Sequence, residues 1–310
     1  MSARHRHTSP RIAWDRYRSL LGAIEHGSLS EAARALGSTQ PTIGRHIAEL
    51  ERAFRLPLFT RSPTGLLPTP AALALMPFAR EMASSEAALR RAADGQQDGG
   101  RGDEDSVRGT VRVTASEVIG VEVMPAILVS LRQRHPALRI ELVLSNQLQD
   151  LLHREADLAV RMTAPTQEQL LARKVGDLQL GLFAHRRYLD ARGAPRGVDQ
   201  LAAHALIGYD AETPFVRSMA GQWPGIGRDD FALRADSNLV QLALIRAGAG
   251  IGVCQVPLAR RDPALRRVLP KKIGWSLPTW VTMHEDLRHS ARCRVVFDAL
   301  HAGLARHLAA

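Results

Sequence analysis

The stretch GSLSEAARALGSTQPTIGRHIAELE, residues 27–51, decides the fold of the N-terminal third of the chain. Two short helical patterns lie on either side of Gly37. In the second pattern, Ile43, Ile47 and Leu50 recur at i, i+4 and i+7, which places them on one face of a helix. Two short helices joined by a tight turn, the second apolar behind and polar in front, predict a helix-turn-helix.

The polar face of the second helix carries residue types that read DNA. Its outward side chains are predicted to be Thr42, Arg45, His46 and Glu49, with His46 a surface residue and not a contact. Gln40 is suited to bidentate pairing with adenine, and Arg45 to bidentate pairing with guanine. The second helix of such a motif lies in the major groove with its N-terminal residues on the bases.

Gly44 lies inside this helix, where glycine costs roughly 1 kcal/mol relative to alanine. Ser38 or Thr39 is the predicted cap, and Pro41 suits the first turn. Together Pro41 and Gly44 leave little bulk on the outward face. We therefore interpret Gly44 as a point of close approach to DNA.

The segment LPLFTRSPTGLLPT, residues 56–69, predicts a hairpin directly after the helix-turn-helix. Two short apolar runs flank the turn-forming residues 62–65. Arg61 and Thr64 would then lie on a wing that faces the phosphate backbone.

Residues 70–93 predict a long helix, because they are rich in Ala, Leu, Met and Glu. Pro70 suits its first turn, whereas Pro77 should kink or split it. The apolar positions expected to join two copies of the chain are Leu73, Met76, Ala79, Met82 and Ala83. Residues 94–106, DGQQDGGRGDEDS, are polar and glycine-rich and predict an exposed hinge.

A different pattern begins at residue 107. The strand-like runs GTVRVTAS, LRIELVLS and ADLAVRM alternate with helical segments at 117–134 and 148–155. This order is typical of a doubly wound parallel sheet. Further predicted elements are strands at 178–185, 205–209, 231–235, 251–257 and 278–284, and helices at 237–247 and 290–308.

Composition and charge limit the classes of function that the chain can have. The chain has 310 residues, no run of about 18 apolar residues and no apolar segment after its basic N-terminus, which argues against a membrane span or a secretory signal. Cys254 and Cys293 lack metal-ligand spacing and fit buried thiols in a reducing cytosol. Residues 1–93 hold 13 arginines against 7 acidic residues. Such concentrated charge attracts nucleic acid, although charge alone leaves a solvated basic surface equally open.

The run GAGIG, residues 248–252, invites a dinucleotide-binding interpretation. That fingerprint follows a strand and opens a helix, whereas here a predicted helix precedes the glycines and a strand follows them. We therefore expect a helix end and a tight turn. No G-x-S-x-G or comparable nucleophile setting occurs. A cytoplasmic α/β enzyme acting on a small organic acid remains the alternative function.

Residues 14–80 resemble the DNA-binding domain of LysR-type transcriptional regulators. The resemblance rests on the stretch quoted first, then on LPLFTR and LLPTPAA. Residues 107–305 resemble the effector-binding half of that family more loosely, through ADLAVR and IRAGAGIGVCQVP. The resemblance implies an N-terminal all-α winged helix-turn-helix, a dimerising linker helix, and a C-terminal α/β effector domain of two subdomains, similar to type 2 periplasmic binding proteins.

The predicted boundaries follow from these patterns and the resemblance. They are a winged helix-turn-helix over 1–69, a linker and dimerisation helix over 70–93, a hinge over 94–106, and an effector domain over 107–310. Subdomain I covers about 107–180 and 284–310, and subdomain II covers about 181–283.

The predicted DNA-contacting residues are Ser28, Thr39, Gln40, Pro41, Thr42, Gly44, Arg45, Arg61 and Thr64. Ser28 is expected to cap a helix and to meet phosphate. The family usually has serine at the position of Gly44, a departure that bears on sequence preference. It usually has glycine at that of Arg55, where the arginine either adds a phosphate contact or only changes the turn.

The predicted effector pocket lies beyond the carboxyl ends of the strands, where open α/β sheets bind ligands. Its predicted lining residues are Ala115, Ser116, Ser145, Asn146, Arg161, Met162, Asp236 and Ser237. Ser116 opens a helix whose amides favour an anion, and Arg161 is a partner for a carboxylate. An ordinary ion pair of Arg161 with Asp157 or Glu155 is the alternative.

The predicted function is a cytoplasmic, sequence-specific transcriptional regulator, not an enzyme, that responds to a small molecule. Its predicted partners are double-stranded DNA, an effector that is an organic anion, and the chain itself as a homodimer or homotetramer. RNA polymerase is a further candidate partner. No cofactor, metal or membrane partner is predicted.

Overall fold

The computed structural model describes residues 12–62, 65–97, 107–146, 156–165, 169–213, 216–217 and 225–310. It divides into two compact units, Met1–Arg90 and Arg91–Ala310. Within the described ranges no helix is both long and apolar enough to cross a membrane.

The first unit holds three short helices, a two-stranded hairpin and the start of a long helix. In chain order they are α1 (Trp14–His26), α2 (Leu29–Ala35), α3 (Gln40–Phe54), β1 (Phe59–Ser62), β2 (Gly65–Pro68) and α4 (Pro70–Gln97). Ile43, Ile47 and Leu50 are buried, as their spacing predicts, and pack with Leu20 and Leu58. The predicted helix-turn-helix and hairpin are therefore present.

The hairpin is tied to the helices by backbone donors. The Glu51 carboxylate accepts hydrogen bonds from the backbone N–H of Leu58 at 2.8 Å and of Phe59 at 3.4 Å. Leu66 N–H donates to the Gly27 carbonyl at 2.8 Å. A Cβ at Gly65 would lie 2.7 Å from that same carbonyl oxygen, so only glycine permits this approach.

Helix α4 differs from its prediction in two ways. It continues through Pro77 as one element, without the split that was one of the two expected outcomes. It also reaches Gln97, so the expectation of a hinge beginning at 94 is wrong by four residues. A single glycine, Gly95, costs about 1 kcal/mol in a helix, which a helix of 28 residues tolerates. The remaining predicted hinge residues, 98–106, lie outside the described part of the chain.

The second unit is built on one mixed sheet with helices on its faces. Its strands are β3 (Gly109–Ala115), β4 (Leu138–Leu144), β5 (Leu158–Arg161), β6 (Leu170–His185), β7 (Leu206–Tyr209), β8 (Phe231–Ala235), β9 (Ile251–Gln255), β10 (Leu265–Val268) and β11 (Trp275–His284). Its helices are α5 (Glu117–Glu122), α6 (Met124–Arg134), α7 (Arg186–Arg192), α8 (Asn238–Arg246), α9 (Val256–Ala259) and α10 (Ala291–Ala309).

The strand order is β4-β3-β5-β11-β6-β9-β7-β8, with β10 paired to β6. Strand β3 is parallel to β4 and β5, and β7 is parallel to β8 and β9. The long antiparallel strands β6 and β11 lie between these two parallel groups. One hydrophobic core surrounds β3 and β5, and others lie beside β7 and β9. The predicted α/β fold of two subdomains is confirmed, and their exact boundaries stay a prediction.

Several local predictions for this unit need correction. The predicted helix 117–134 is two helices that meet at Val123, because Pro125 in the first turn of α6 has no N–H to continue the ladder of α5. Strand β6 begins at Leu170, eight residues before the predicted start at 178. Strand β10 was not predicted, since its sequence LRRV has two exposed arginines between the buried ends. The predicted helix 148–155 lies outside the described ranges.

A buried ion pair joins Arg91, the first residue of the second unit, to Asp157 within that unit. Asp157 lies just before β5, and its carboxylate accepts from Arg91 Nε at 3.1 Å and from Arg112 N–H at 2.9 Å. Arg292 Nη2 donates to the Arg91 carbonyl. The side chains of Arg91, Asp157 and Arg292 are buried, and Asp157 is the ion-pair partner of Arg91. Asp157 therefore joins the end of α4 to β3 through one side-chain contact and one backbone contact.

Asp157→Asn should lower the free energy of unfolding by about 3 kcal/mol, because it leaves buried positive charge without its counter-ion. Urea unfolding of the whole chain measures the loss. Glu141→Gln is the matched control, because Glu141 pairs with Arg112 at 3.0 Å on the exposed surface and should cost under about 1 kcal/mol. Equal small losses in both variants would show that the buried pair adds no stability.

Candidate nucleic-acid interface and ligand cleft

The N-terminal turn of α3 is an exposed polar surface. Thr39 caps the helix, with its Oγ1 accepting from Thr42 N–H at 3.4 Å and lying 2.8 Å from Thr42 Oγ1. Pro41 occupies the first turn, where its missing N–H removes no intrahelical bond. Thr39, Gln40 and Pro41 are all exposed. The turn therefore displays hydroxyl, amide and backbone N–H groups outward.

Gln40 is oriented by Ser30, a residue that sequence analysis did not select. Ser30 Oγ donates to Gln40 Oε1 at 3.0 Å. This bond uses one of the two lone pairs of the amide oxygen. Bidentate pairing with adenine needs both the oxygen and the NH₂ group, so Ser30 shares the oxygen in that predicted contact or releases it. The two residues are ten apart across a turn, a spacing that no periodicity reveals.

Two polar contacts hold α3 against α1. Glu49 Oε2 accepts from Arg16 Nε at 2.8 Å, and this hydrogen bond lowers the pKa of the Glu49 carboxyl. His46 Nδ1 lies 2.8 Å from Ser19 Oγ, which itself donates to the Asp15 carbonyl. The prediction that His46 and Glu49 point away from the rest of the unit is wrong, because both side chains contact α1.

Arg45 remains outward. Its side chain is 67% exposed, and its Nε lies 3.9 Å from Glu49 Oε1. That distance is at the limit for an ion pair, and Glu49 is already hydrogen bonded to Arg16. The Arg45 guanidinium can therefore turn to a base or a phosphate at little cost.

Ser28 and Gly44 lie near this surface. Ser28 caps α2, with Oγ accepting from the N–H of Ser30 at 3.2 Å and of Glu31 at 3.5 Å. A Cβ added at Gly44 would meet only Leu29 Cδ1, at an ordinary 3.6 Å. The packing of α3 therefore gives no reason for glycine at this position.

The predicted wing residues are placed only in part. Arg61 lies in β1 opposite Leu66. Thr64 lies outside the described residues.

The predicted cleft residues lie at the carboxyl ends of β3, β4 and β5 and at the start of α8. Ala115 is buried, and Ser145 N–H donates to its carbonyl at 2.9 Å. Ser116 Oγ lies 3.3 Å from Met162 Sδ. Asp236, which precedes α8, is exposed. The cleft edge thus combines buried backbone with a few polar side chains.

A hydrogen-bonded group crosses the cleft between the two halves of the sheet. Glu117 Oε2 accepts from Ser237 Oγ at 2.9 Å and from Asn238 N–H at 3.0 Å. Asn146 accepts from Glu117 N–H at 3.3 Å and donates to Asn238 Oδ1 at 3.3 Å. Glu117 was not among the predicted site residues, because its partners are about 120 residues away in sequence.

Arg161 does not lie open at its strand end. It is 7% exposed, and its guanidinium donates to Thr114 Oγ1 and to the Val160 carbonyl, each at 3.0 Å. Asp157, one expected ion-pair partner, is bonded to Arg91, and Glu155 lies outside the described residues. This geometry does not support a carboxylate site at Arg161.

Comparison with known proteins decides the family. The model of the bacterial regulatory helix-turn-helix protein, lysR family, matches residues 14–73, and the model of the LysR substrate binding domain matches residues 104–305. The chain belongs to the LysR family. It is a DNA-binding transcriptional regulator with an effector-binding domain, and the enzyme alternative is not supported.

Individual relatives of this LysR-family regulator are distant. It is 30% identical over 188 residues to an HTH-type transcriptional regulator of Xanthomonas campestris pv. campestris, a match that covers 59% of this chain but only about half, 52%, of that protein. It is 25% identical to PtxR of Pseudomonas aeruginosa, over 93% of this chain and 92% of PtxR. Full-length CbnR complexed with its target DNA superposes with a TM-score of 0.61 at 18% identity, covering 94% and 99% of the two chains, which shows a shared fold.

The GAGIG run and the two cysteines of this LysR-family regulator have structural explanations. Gly248 ends α8 with a left-handed φ of 71°, and a Cβ at Gly250 would lie 2.2 Å from the Ala205 carbonyl oxygen. The helix-to-strand order predicted for the GAGIG run is what the structure shows. Both cysteines are buried, and burial raises the pKa of the Cys254 thiol to about 12.

Gly44→Ala should have opposite effects on folding and on DNA binding. It should raise the free energy of unfolding by up to about 1 kcal/mol, because alanine favours helix and its methyl group meets open space. It should weaken binding to DNA selected with the wild-type chain, because the methyl stands where DNA is expected to approach.

Urea unfolding and DNA titration measure these two effects. Ala48→Gly, at an exposed position one turn along α3, is the control. It should lower the free energy of unfolding without weakening DNA binding. Tighter or unchanged DNA binding by Gly44→Ala would contradict the close approach.

Proposed function

We propose that α3 of this LysR-family regulator reads a specific DNA sequence in the major groove. The observation that carries this proposal is the exposed N-terminal turn of α3, which presents Thr39, Gln40, Thr42 and Arg45 while its opposite face is buried. The arginine excess of residues 1–93 adds attraction to phosphate. Ser28, Pro41 and Gly44 complete the proposed contact surface, and Arg61 and Thr64 of the wing are proposed phosphate contacts.

Arg45→Ala should cost about 1–3 kcal/mol of binding and relax specificity at one position, because arginine reads guanine through two hydrogen bonds. Arg61→Ala should weaken all sequences alike and reduce the salt slope by about one. Titration against selected and scrambled DNA at several salt concentrations separates the two roles.

Arg52→Ala is the control, since Arg52 lies at the far end of α3 and donates to the Ala48 carbonyl. Equal losses on both DNAs for Arg45→Ala would remove Arg45 from base readout.

We further propose that α4 joins two copies of the chain. Phe78 is 62% exposed, Met82 40% and Leu89 71%. At 100° per residue these three side chains lie on one stripe of the helix. The predicted set needs revision, because Ala79 is buried within its own unit at 2% exposure. Leu73 also leaves the set, because it lies about 140° around the helix from Phe78. A dimer of this kind would place two α3 helices on a pseudo-palindromic site.

Phe78→Glu and Leu89→Glu should each shift the full-length chain toward monomer, because burying a carboxylate in an apolar contact is unfavourable. Sedimentation velocity over a range of concentrations measures the change. Leu73→Glu is the matched control, since Leu73 is a 46% exposed leucine on another side of the same helix. An unchanged mass for both stripe variants would move self-association to another surface.

The effector is proposed to be a small molecule bound in the cleft between the two subdomains. Ser116, Asn146, Met162 and Ser237 are proposed to line it, with Ala115, Ser145 and Asp236 at its edge. The expected organic anion would require Arg161 to leave Thr114 and Val160, so other groups must decide the charge of the ligand. RNA polymerase remains a proposed partner, and we infer a cytoplasmic location from the need to reach DNA.

A further inference from the structure

The carboxylate of Glu117 already occupies the place in the cleft that an anion would take. Glu117 is the first residue of α5, in one half of the domain. Its Oε2 accepts from Ser237 Oγ at 2.9 Å and from Asn238 N–H at 3.0 Å, at the start of α8 in the other half. The positive end of a helix dipole and its open N–H groups favour negative charge. Here the protein supplies that charge itself.

Two further donors at this edge are directed to acceptors of the protein. Glu117 N–H donates to Asn146 Oδ1, and the Asn146 amide donates to Asn238 Oδ1, each at 3.3 Å. Arg161, the one guanidinium predicted here, is buried with its donors on Thr114 and Val160. An anionic ligand would find these donors engaged and a carboxylate beside it.

Glu117 itself has no cationic partner among the residues that the structure describes. The second acid of α5 differs, because Glu122 forms a bidentate pair with Arg246 at 2.6 and 2.9 Å. Glu117 is half-buried, and within the described ranges hydrogen bonds reach only its Oε2. Its Oε1 is thus an acceptor at the edge of the cleft that no hydrogen bond from the described residues occupies.

We propose that Glu117 selects the charge of the effector, and that the effector carries an ammonium, amidinium or guanidinium group that binds Glu117 Oε1. Such a group both neutralises the carboxylate and donates a charge-assisted hydrogen bond. An effector carboxylate at the same place meets like charge instead. This inference rests on the proposed function, since it takes the cleft to be the effector site.

Sets of compounds that share a carbon skeleton and differ only in charge test the proposal. Benzylamine, benzamide and benzoate form one set, and butylamine, butyramide and butyrate form another. Thermal shift of the full-length chain ranks them, and calorimetry measures the affinity of each compound that binds. Amines should bind in preference to the amide and carboxylate of the same skeleton.

Three variants locate the effect. Glu117→Gln keeps an amide oxygen for Ser237 and Asn238 but removes the charge, and should weaken amine binding about 10-fold or more. Glu117→Asp keeps the charge and should retain the preference for amines. Glu141→Gln, on the exposed strand β4, should leave amine binding unchanged. Circular dichroism confirms that each variant is folded.

Other outcomes overturn the proposal. Amines that bind wild type and Glu117→Gln equally would be held elsewhere, and carboxylates that bind, and bind Glu117→Gln more tightly, would show that Glu117 only repels. The effector cleft would survive the second result. If no compound of either set binds, the proposal of a cationic effector is rejected. The DNA titrations of Arg45→Ala would still test the regulator function independently.

Discussion

The antiparallel pairing of β6 with β11 is the constraint on which the second unit depends. These two strands pair from Trp275 to His284, with a bulge between Thr279 and Trp280. One parallel group of strands is attached to β11 and the other to β6. Because the pairing fixes the two groups relative to each other, the carboxyl ends of β3 and β5 lie opposite the start of α8. The bonds of Glu117 and Asn146 to Ser237 and Asn238 follow from that register.

In the first unit, the buried face of α3 packs in the core, and its exposed face is left free of packing contacts. Ile43, Ile47 and Leu50 fix the helix in the core, and the Arg16–Glu49 pair fixes its rotation about its own axis. Apart from the cap Thr39, the N-terminal turns can then hold residues that add little stability, such as Gln40 and Gly44. The face proposed to meet DNA is thus the one that folding leaves unconstrained, and it holds one departure from the usual family pattern, Gly44.

The sequence predicted most of the fold, because helix and strand periodicity depends on local spacing. It located α3, the hairpin, β3 to β5 and the glycine turn after α8. It did not locate Ser30 beside Gln40, or Glu117 beside Ser237, because those contacts join residues that only the folded chain brings together. It also placed Arg161 at an open strand end, where burial against Thr114 prevails. Strand position can be inferred from sequence, whereas the direction of a long side chain depends on its neighbours.

The burial of the two cysteines has a practical consequence. Burial raises the pKa of the Cys254 thiol to about 12, so almost none of it is ionised at neutral pH, and the thiolate is the reactive form. Cys293 is likewise buried, and its pKa is also raised by burial. Alkylating reagents should therefore not modify either cysteine of the folded chain. A fluorophore or spin label attached through one added surface cysteine would therefore report only on that position, because the two native cysteines would stay unlabelled.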